Sequence, residues 1–117
     1  MKIAKMKDEC IEKICNLPSN LKKGNKSALV LLNESQFLLF YREISALDII
    51  NYLQKHPGLI DMWKQFSEDR RTSGGFYYNT NYIGSLNDSA FDKKFTSDIE
   101  ACAEYILKEI SWILSEQ

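Results

Sequence analysis

The most constraining stretch of this sequence lies near its C-terminus. Ser97-Asp-Ile-Glu100 has the form of a capping box, in which a serine and the acid three residues on satisfy free N–H groups of a first helical turn. Behind it Ile99, Cys102, Ala103, Ile106, Ile110, Ile113 and Leu114 recur at steps of three and four, which places them on one helix face. A stripe of that length has to be buried against another layer. The rest of the chain must supply that layer.

Several segments offer themselves. Ile3, Met6, Cys10, Ile14 and Leu17 form a second helical stripe, which Pro18 is expected to end, with Ser19–Lys26 a polar loop. Ala28–Leu32 and Phe37–Tyr41 flank Asn33-Glu-Ser-Gln36, and two short apolar runs around a polar turn predict a β-hairpin. Neither run alternates, so both faces of that pair are expected to be covered. Ser45 with Asp48 predicts a helix start, Ile44 and Ile49 occupy the staple positions, and Leu47, Ile50 and Leu53 form its inner side. His56-Pro57-Gly58 closes that helix, and Pro57 opens another through Leu59, Ile60, Trp63 and Phe66. Ser67–Gly75 reads as a charged loop whose glycines supply positive φ before a strand. Phe76–Tyr78 and Tyr82–Leu86 around Asn79-Thr-Asn81 predict a second hairpin, and Asn87–Phe95 a polar loop. The expected architecture is a single α+β domain over 1–117, in the order α-β-β-α-α-β-β-α, with helices packed on a small antiparallel sheet.

Size and charge restrict function more than they name it. The 117 residues suit one domain of about 100–150. Fifteen basic against sixteen acidic side chains leave −1, which excludes nucleic-acid binding through overall positive charge. The distribution is uneven: residues 1–26 carry +4 and residues 27–117 carry −5. An acidic surface of this kind steers basic partners and repels nucleic acid. The longest apolar runs are five residues, where a signal peptide needs about 7–15 and a membrane span about 20. A cytoplasmic protein without membrane contact is expected. Three cysteines, an odd number, fit reduced buried thiols, and with one histidine neither a metal nor a cofactor is expected.

Catalytic motifs are sparse. His56 sits at a helix boundary with no nucleophile in a recognisable pattern around it. Gly74-Gly75 lacks the spacing of a phosphate loop. The most unusual segment is Glu68-Asp69-Arg70-Arg71-Thr72-Ser73. It reads either as a guanidinium site for an anion, built on Arg70, Arg71 and Thr72, or as a turn of local ion pairs. Phe76, Tyr77, Tyr78 and Tyr82 follow it, and alternation puts Tyr77 on the face opposite Phe76 and Tyr78. An exposed tyrosine beside arginine is common at protein interfaces.

Trp63-Lys-Gln-Phe66-Ser-Glu-Asp-Arg-Arg-Thr72, then Gly75-Phe-Tyr77 and Ala101-Cys-Ala-Glu-Tyr-Ile106, resemble small bacterial immunity proteins of contact-dependent growth inhibition and polymorphic-toxin systems. The resemblance implies a non-catalytic cytoplasmic protein that binds a cognate toxin domain, often a nuclease, and blocks it. No functional residue comes with the resemblance. Under it, Glu68, Asp69, Asp88 and Asp92 are the candidate electrostatic contacts, with Tyr77 or Tyr82 as anchors and Arg70 and Arg71 beside them. The competing class is a small-molecule or anion-binding enzyme using the Arg70/Arg71/Thr72 loop. A third is an adaptor or oligomer subunit with an exposed apolar helix face.

Overall fold

The computed structural model describes residues 2–24, 26–69, 75–85 and 92–115. Among these residues the chain passes through α1 (Lys2–Cys15), α2 (Leu17–Lys23), α3 (Ala28–Ser35), α4 (Phe37–Phe40), α5 (Ala46–Lys55) and α6 (Gly58–Asp69). The strands β1 (Phe76–Asn79), β2 (Tyr82–Ser85) and β3 (Asp92–Lys94) follow, and α7 (Asp98–Ser115) closes the fold. The class is α+β, as the sequence suggests. The order departs from expectation in four places, each with a local cause.

The first is the hairpin expected over residues 28–41, which is helical. Ser27 caps α3 by accepting a hydrogen bond from the Val30 N–H at 3.2 Å, and leucine favours the helix that follows. Leu32 and Ser35 are its buried positions, so a serine on the inner face hid the helical period. The turn comes at Gln36, in the left-handed region with φ 64°, and α4 starts directly after it. The second is Pro18, which stands in the first turn of α2 rather than before a loop; its missing N–H costs nothing there. The third is the charged loop, whose first three residues, Ser67 to Asp69, are the last turn of α6. The fourth is β3, three exposed charged residues inside the segment read as a loop.

The start of α5 matches the expectation, but Leu47, expected on its inner side, and Met6, expected in the α1 stripe, are exposed. Ser45 and Asp48 form a reciprocal capping box for α5, with the Asp48 N–H donating to Ser45 at 3.3 Å and the Ser45 N–H to Asp48 at 2.9 Å. Ile44 and Ile49 are both buried beside it, whereas Leu47 turns outward, and Ile49 and Leu53 are the buried side of the helix. The Asp48 carboxyl is held below the usual range: partial burial opposes this, but the Ser45 N–H and Lys7 at 3.4 Å outweigh it.

Helix α7 is the centre of the packing. It touches α5, α3, α6 and the first two strands. Because neighbours surround it, burial reaches beyond the predicted stripe to Ala101, Tyr105 and Glu109. Trp63 of α6 is fully buried against Tyr105, ring centroids 6.1 Å apart, and its indole N–H donates to the Cys15 carbonyl at 2.9 Å. That bond fixes α6 to the end of α1 while satisfying the polar atom of a core residue.

The sheet is antiparallel in the order β1-β2-β3, with Tyr77 opposite Gly84 and Gly84 opposite Asp92. Alternation sends Tyr78 and Ile83 into the core and leaves Tyr77, Asn79, Tyr82, Gly84, Asp92 and Lys94 on the other face. The outer edge of β1 is closed by side chains. The Phe76 N–H donates to Glu109 at 2.9 Å and the Tyr78 N–H to Ser67 at 2.7 Å. An edge strand with its donors satisfied this way offers no free ladder to another chain. Gly75, at φ 89°, leads into β1; a Cβ there would lie 2.8 Å from the Glu109 carboxylate and 3.0 Å from the Trp112 ring. The positive φ expected at this strand entry is present, and close approach also requires the glycine.

Candidate functional site

Two tyrosines dominate the outward face of the hairpin. Tyr77 lies flat across Gly84, where a Cβ would come within 2.3 Å of its ring. Glycine in mid-strand thus makes room for the aromatic side chain opposite. The Tyr77 and Tyr82 hydroxyls are 3.1 Å apart and their ring centroids 5.7 Å. The Tyr82 hydroxyl is pushed up to about 12, first by its hydrogen bond with Tyr77, then by partial burial and the nearby Asp92 carboxylate. The Tyr82 hydroxyl therefore remains a neutral phenol at physiological pH.

Beside this face a cavity of about 260 Å³ opens between the hairpin and α6. Lys64, Ser67 and Glu68 line one side, and Tyr77, Tyr78, Asn79 and Tyr82 the other. Two of the lining residues, Lys64 and Tyr78, are held from behind by a polar knot centred on Asp98, the first residue of α7. Asp98 pairs with Lys64 at 2.8 Å, accepts from the Tyr78 hydroxyl at 2.7 Å, and accepts from the Asn81 N–H at 3.0 Å. Partial burial alone would raise the Asp98 pKa, but Lys64, Tyr78 and the Asn81 N–H hold it below the usual carboxylate range. Burial, with Asp98 adding to it, pushes Tyr78 far up, so that hydroxyl stays a donor. One carboxylate thereby joins α6, the hairpin turn and α7.

Four of the sequence-selected residues meet here. Tyr77, Tyr82 and Asp92 share the open face, and exposed Glu68 stands on the cavity rim. Asp69 does not join them: it lines a groove on the α2 side with Leu21 and Phe66 and accepts from Gln65 at 2.9 Å. Arg70, Arg71, Thr72 and Asp88 lie outside the described residues. Lys64 and Asp98 were missed because residues 64, 78 and 98 have no local spacing to betray them. Asp98 was read only as part of a capping box, of which the described contact is the Glu100 N–H to Ser97 at 3.5 Å.

The acidic excess of the C-terminal part is also less superficial than its count implies. Glu109 is fully buried, Asp98 is paired with Lys64, and Glu104 meets Lys93 at 3.6 Å. On the open face Asp92 and Lys94 stand side by side, so the local field is mixed, with Glu68 at its margin.

A second surface is apolar. Leu38 and Leu39 of α4 are 58% and 66% exposed, and Tyr41 follows at 48%. A shallow groove of about 250 Å³ runs from Leu38 and Tyr41 to Ser111 and Leu114 on α7. These leucines were expected inside covered strands; helix formation turns them to solvent.

Among the described residues, the histidine and the cysteines are occupied otherwise. His56 stacks on Tyr52, centroids 4.4 Å apart, where its N–H closes α5 on the Leu53 carbonyl. Cys10, Cys15 and Cys102 are buried free thiols, and burial raises all three pKa values, that of Cys102 to about 12. Such thiols are poor nucleophiles. Comparison with protein-family models, curated proteins and solved structures finds nothing that matches. The functional reading rests on geometry and chemistry. No helix among the described residues is long and apolar enough to cross a membrane.

Proposed function

We propose that this chain is an immunity protein that binds a cognate toxin domain and neutralises it by occupying its surface. The observation that carries this reading is the hairpin face, where Tyr77 and Tyr82 stand together beside Glu68 and Asp92. Rigid tyrosines contribute contact area at low entropic cost, and the balance of −5 over residues 27–117 favours a basic partner such as a nuclease. The face is also prearranged: Gly84 seats Tyr77, and the Asp98 knot holds the hairpin turn to α7. A surface that needs little ordering loses less free energy on binding.

The experiment uses the toxin encoded beside this chain, mixed with the purified protein. Neutralisation at a 1:1 ratio, with Tyr77→Ala and Tyr82→Ala each weakening it at least about tenfold, is the expected outcome. Toxin activity undiminished at stoichiometric excess sinks the proposal.

The exposed leucines of α4 favour a second reading, in which the protein is an adaptor or oligomer subunit. Sedimentation at increasing concentration tests it. A monomer throughout, with Leu38→Ser and Leu39→Ser leaving its behaviour unchanged, removes the oligomer form.

A further inference from the structure

The two tyrosines of the hairpin face also carry a chemistry of their own. We propose that Tyr77 and Tyr82 form an oxidative cross-linking site, at which a peroxide-driven one-electron oxidant joins the two rings into a dityrosine. This goes beyond the toxin-binding reading and does not depend on it.

The two residues stand diagonally on neighbouring strands, since Tyr77 faces Gly84 and Tyr82 faces Asn79. Diagonal neighbours on one face are within reach of each other when both side chains are aromatic. Their hydroxyls are 3.1 Å apart while their ring centroids are 5.7 Å apart, with 36° between the ring planes. The rings therefore converge toward their hydroxyl ends, where the Cε carbons that couple in a dityrosine sit. Gly84 makes this approach possible. A Cβ there would collide with Cζ, Cε1 and the hydroxyl of Tyr77, the end of the ring that meets Tyr82. Coupling between groups already held in contact is a unimolecular step and needs no encounter.

Access separates this pair from the other tyrosines. Tyr78 and Tyr105 are as close, with ring centroids 5.6 Å apart, but both are buried and the Tyr78 hydroxyl donates to Asp98 at 2.7 Å. Tyr77 and Tyr82 are half-buried and reach solvent. Tyr41 is the most exposed of the tyrosines, and it lies against Arg42 rather than beside another phenol. Tyr52 stacks on His56. Contact and access thus coincide at Tyr77 and Tyr82. Asp92, opposite Gly84 on β3, stands on the same face and places a carboxylate near Tyr82 for the proton that leaves with the electron.

Each phenol gives up one electron and its hydroxyl proton. The two phenoxyl radicals then join through one new Cε–Cε bond. The hydrogen on each joined carbon moves to the oxygen of its own ring, which restores both phenols. The two electrons and two protons removed convert one hydrogen peroxide into two waters. The product ties β1 to β2 covalently and fixes the two rings against each other.

The experiment exposes the dilute full chain to a haem peroxidase and hydrogen peroxide. Dityrosine fluorescence, intact mass and the peptide 72–93, released by trypsin after Arg71 and Lys93, are the readouts. That peptide holds Tyr77, Tyr78 and Tyr82 but no methionine or cysteine, so oxygen uptake at sulfur does not obscure its mass. The expected product is a monomer whose peptide 72–93 is lighter by two hydrogen atoms and gives no fragment from the backbone between Tyr77 and Tyr82. Tyr77→Phe and Tyr82→Phe, which keep the ring and remove the phenol, should each lower its yield at least about tenfold, and Tyr41→Phe should leave it unchanged. Unfolding the chain in urea should also lower it about tenfold, which separates folded contact from nearness in sequence. Absence of the product, covalent dimers in its place, a link through Tyr78, or a yield that survives either hairpin substitution or urea overturns the proposal.

Discussion

Residues 28–41 and residues 76–85 have the same outline in sequence, two short apolar runs around a polar turn, and they fold differently. The first becomes α3 and α4 and the second becomes β1 and β2. Their turns do not separate them, since each bends at one non-glycine residue in the left-handed region, Gln36 at φ 64° and Asn81 at φ 61°. What separates them is the period of burial. In the first, Leu32 and Ser35 are buried at a helical step; in the second, Tyr78 is buried while Tyr77 lies on the opposite face. The consequence for function is direct. A helix that cannot cover all of its leucines leaves an apolar surface, whereas an alternating ribbon leaves a polar aromatic one.

The sharpest way to break the comparison is at the polar group that anchors each segment. Asp98 holds the hairpin from a distance through the Tyr78 hydroxyl and the Asn81 N–H, and ties in α6 through Lys64. Ser35 holds the α3–α4 turn locally, donating to the Leu32 carbonyl at 2.6 Å and accepting from the Phe37 N–H at 3.2 Å. Asp98→Ala should cost about 3 kcal/mol in urea unfolding, because Tyr78 and Lys64 both lose their partner. Ser35→Ala should cost about 1 kcal/mol. Hydrogen exchange should show Asn81 losing protection in the first variant and the α3 amides unaffected; equal costs would mean that Asp98 is not the hairpin's anchor. The pH dependence has a definite sign. The folded-state pKa of Asp98 is lowered, so its stabilisation is complete above the unfolded value of about 3.9 and is lost as pH falls through the folded value. Stability should therefore decline on acidification below about pH 5, and Asp98→Asn should flatten that decline.

Next in size is Gly84→Ala. The added methyl collides with the Tyr77 ring at 2.3 Å, so the ring must leave the sheet or the strand must shift. A loss of about 1–3 kcal/mol is expected, with Tyr77 ring resonances moving. On the apolar surface, Leu39→Ala should change stability by less than about 0.5 kcal/mol, since that side chain is mostly in solvent. A stable Gly84→Ala protein with an unshifted Tyr77 would mean that the glycine does not seat the ring.

Why one segment was legible and the other was not follows from these residues. Phe76–Tyr78 and Tyr82 announce a ribbon because aromatic side chains and an Asn-Thr-Asn turn are hairpin chemistry, and Ser97 with the stripe behind it announces α7. Residues 28–41 lacked such a marker. A continuous apolar run has no period to read, and the inward Ser35 removed the one helical step that would have shown. The Ser27 cap was visible three residues before Val30, yet serine before an apolar run also suits a turn. At the site, Tyr77, Tyr82, Glu68 and Asp92 were accessible from composition and alternation. Lys64 and Asp98 were not, because only tertiary packing brings α6 and the start of α7 together beside the hairpin. Ser27→Ala tests the helical assignment itself. Loss of the bond to the Val30 N–H should cost about 1 kcal/mol if α3 is a helix. A neutral result, with far-UV circular dichroism showing less helix than α1–α7 require, would restore the hairpin.

The smallest expected effect sharpens the comparison at the two turns. Gln36 and Asn81 share a backbone conformation that an ordinary side chain adopts only against strain, but asparagine tolerates it better than glutamine because its short amide reaches the local backbone. Gln36 separates two helices, its N–H donating to the Asn33 carbonyl at 3.2 Å, and nothing in that bond needs its side chain. Replacing it by glycine relieves the strain while adding freedom to the unfolded chain, two effects of opposite sign. Relief should win at Gln36, giving a gain of about 0.5 kcal/mol in Gln36→Gly, while Asn81→Gly should be neutral within about 0.3 kcal/mol. The Asn81 N–H bond to Asp98 survives that second change, since it belongs to the backbone. If Asn81→Gly gained as much as Gln36→Gly, the two turns would carry equal strain, and side-chain choice would have played no part in setting the hairpin apart from the helices.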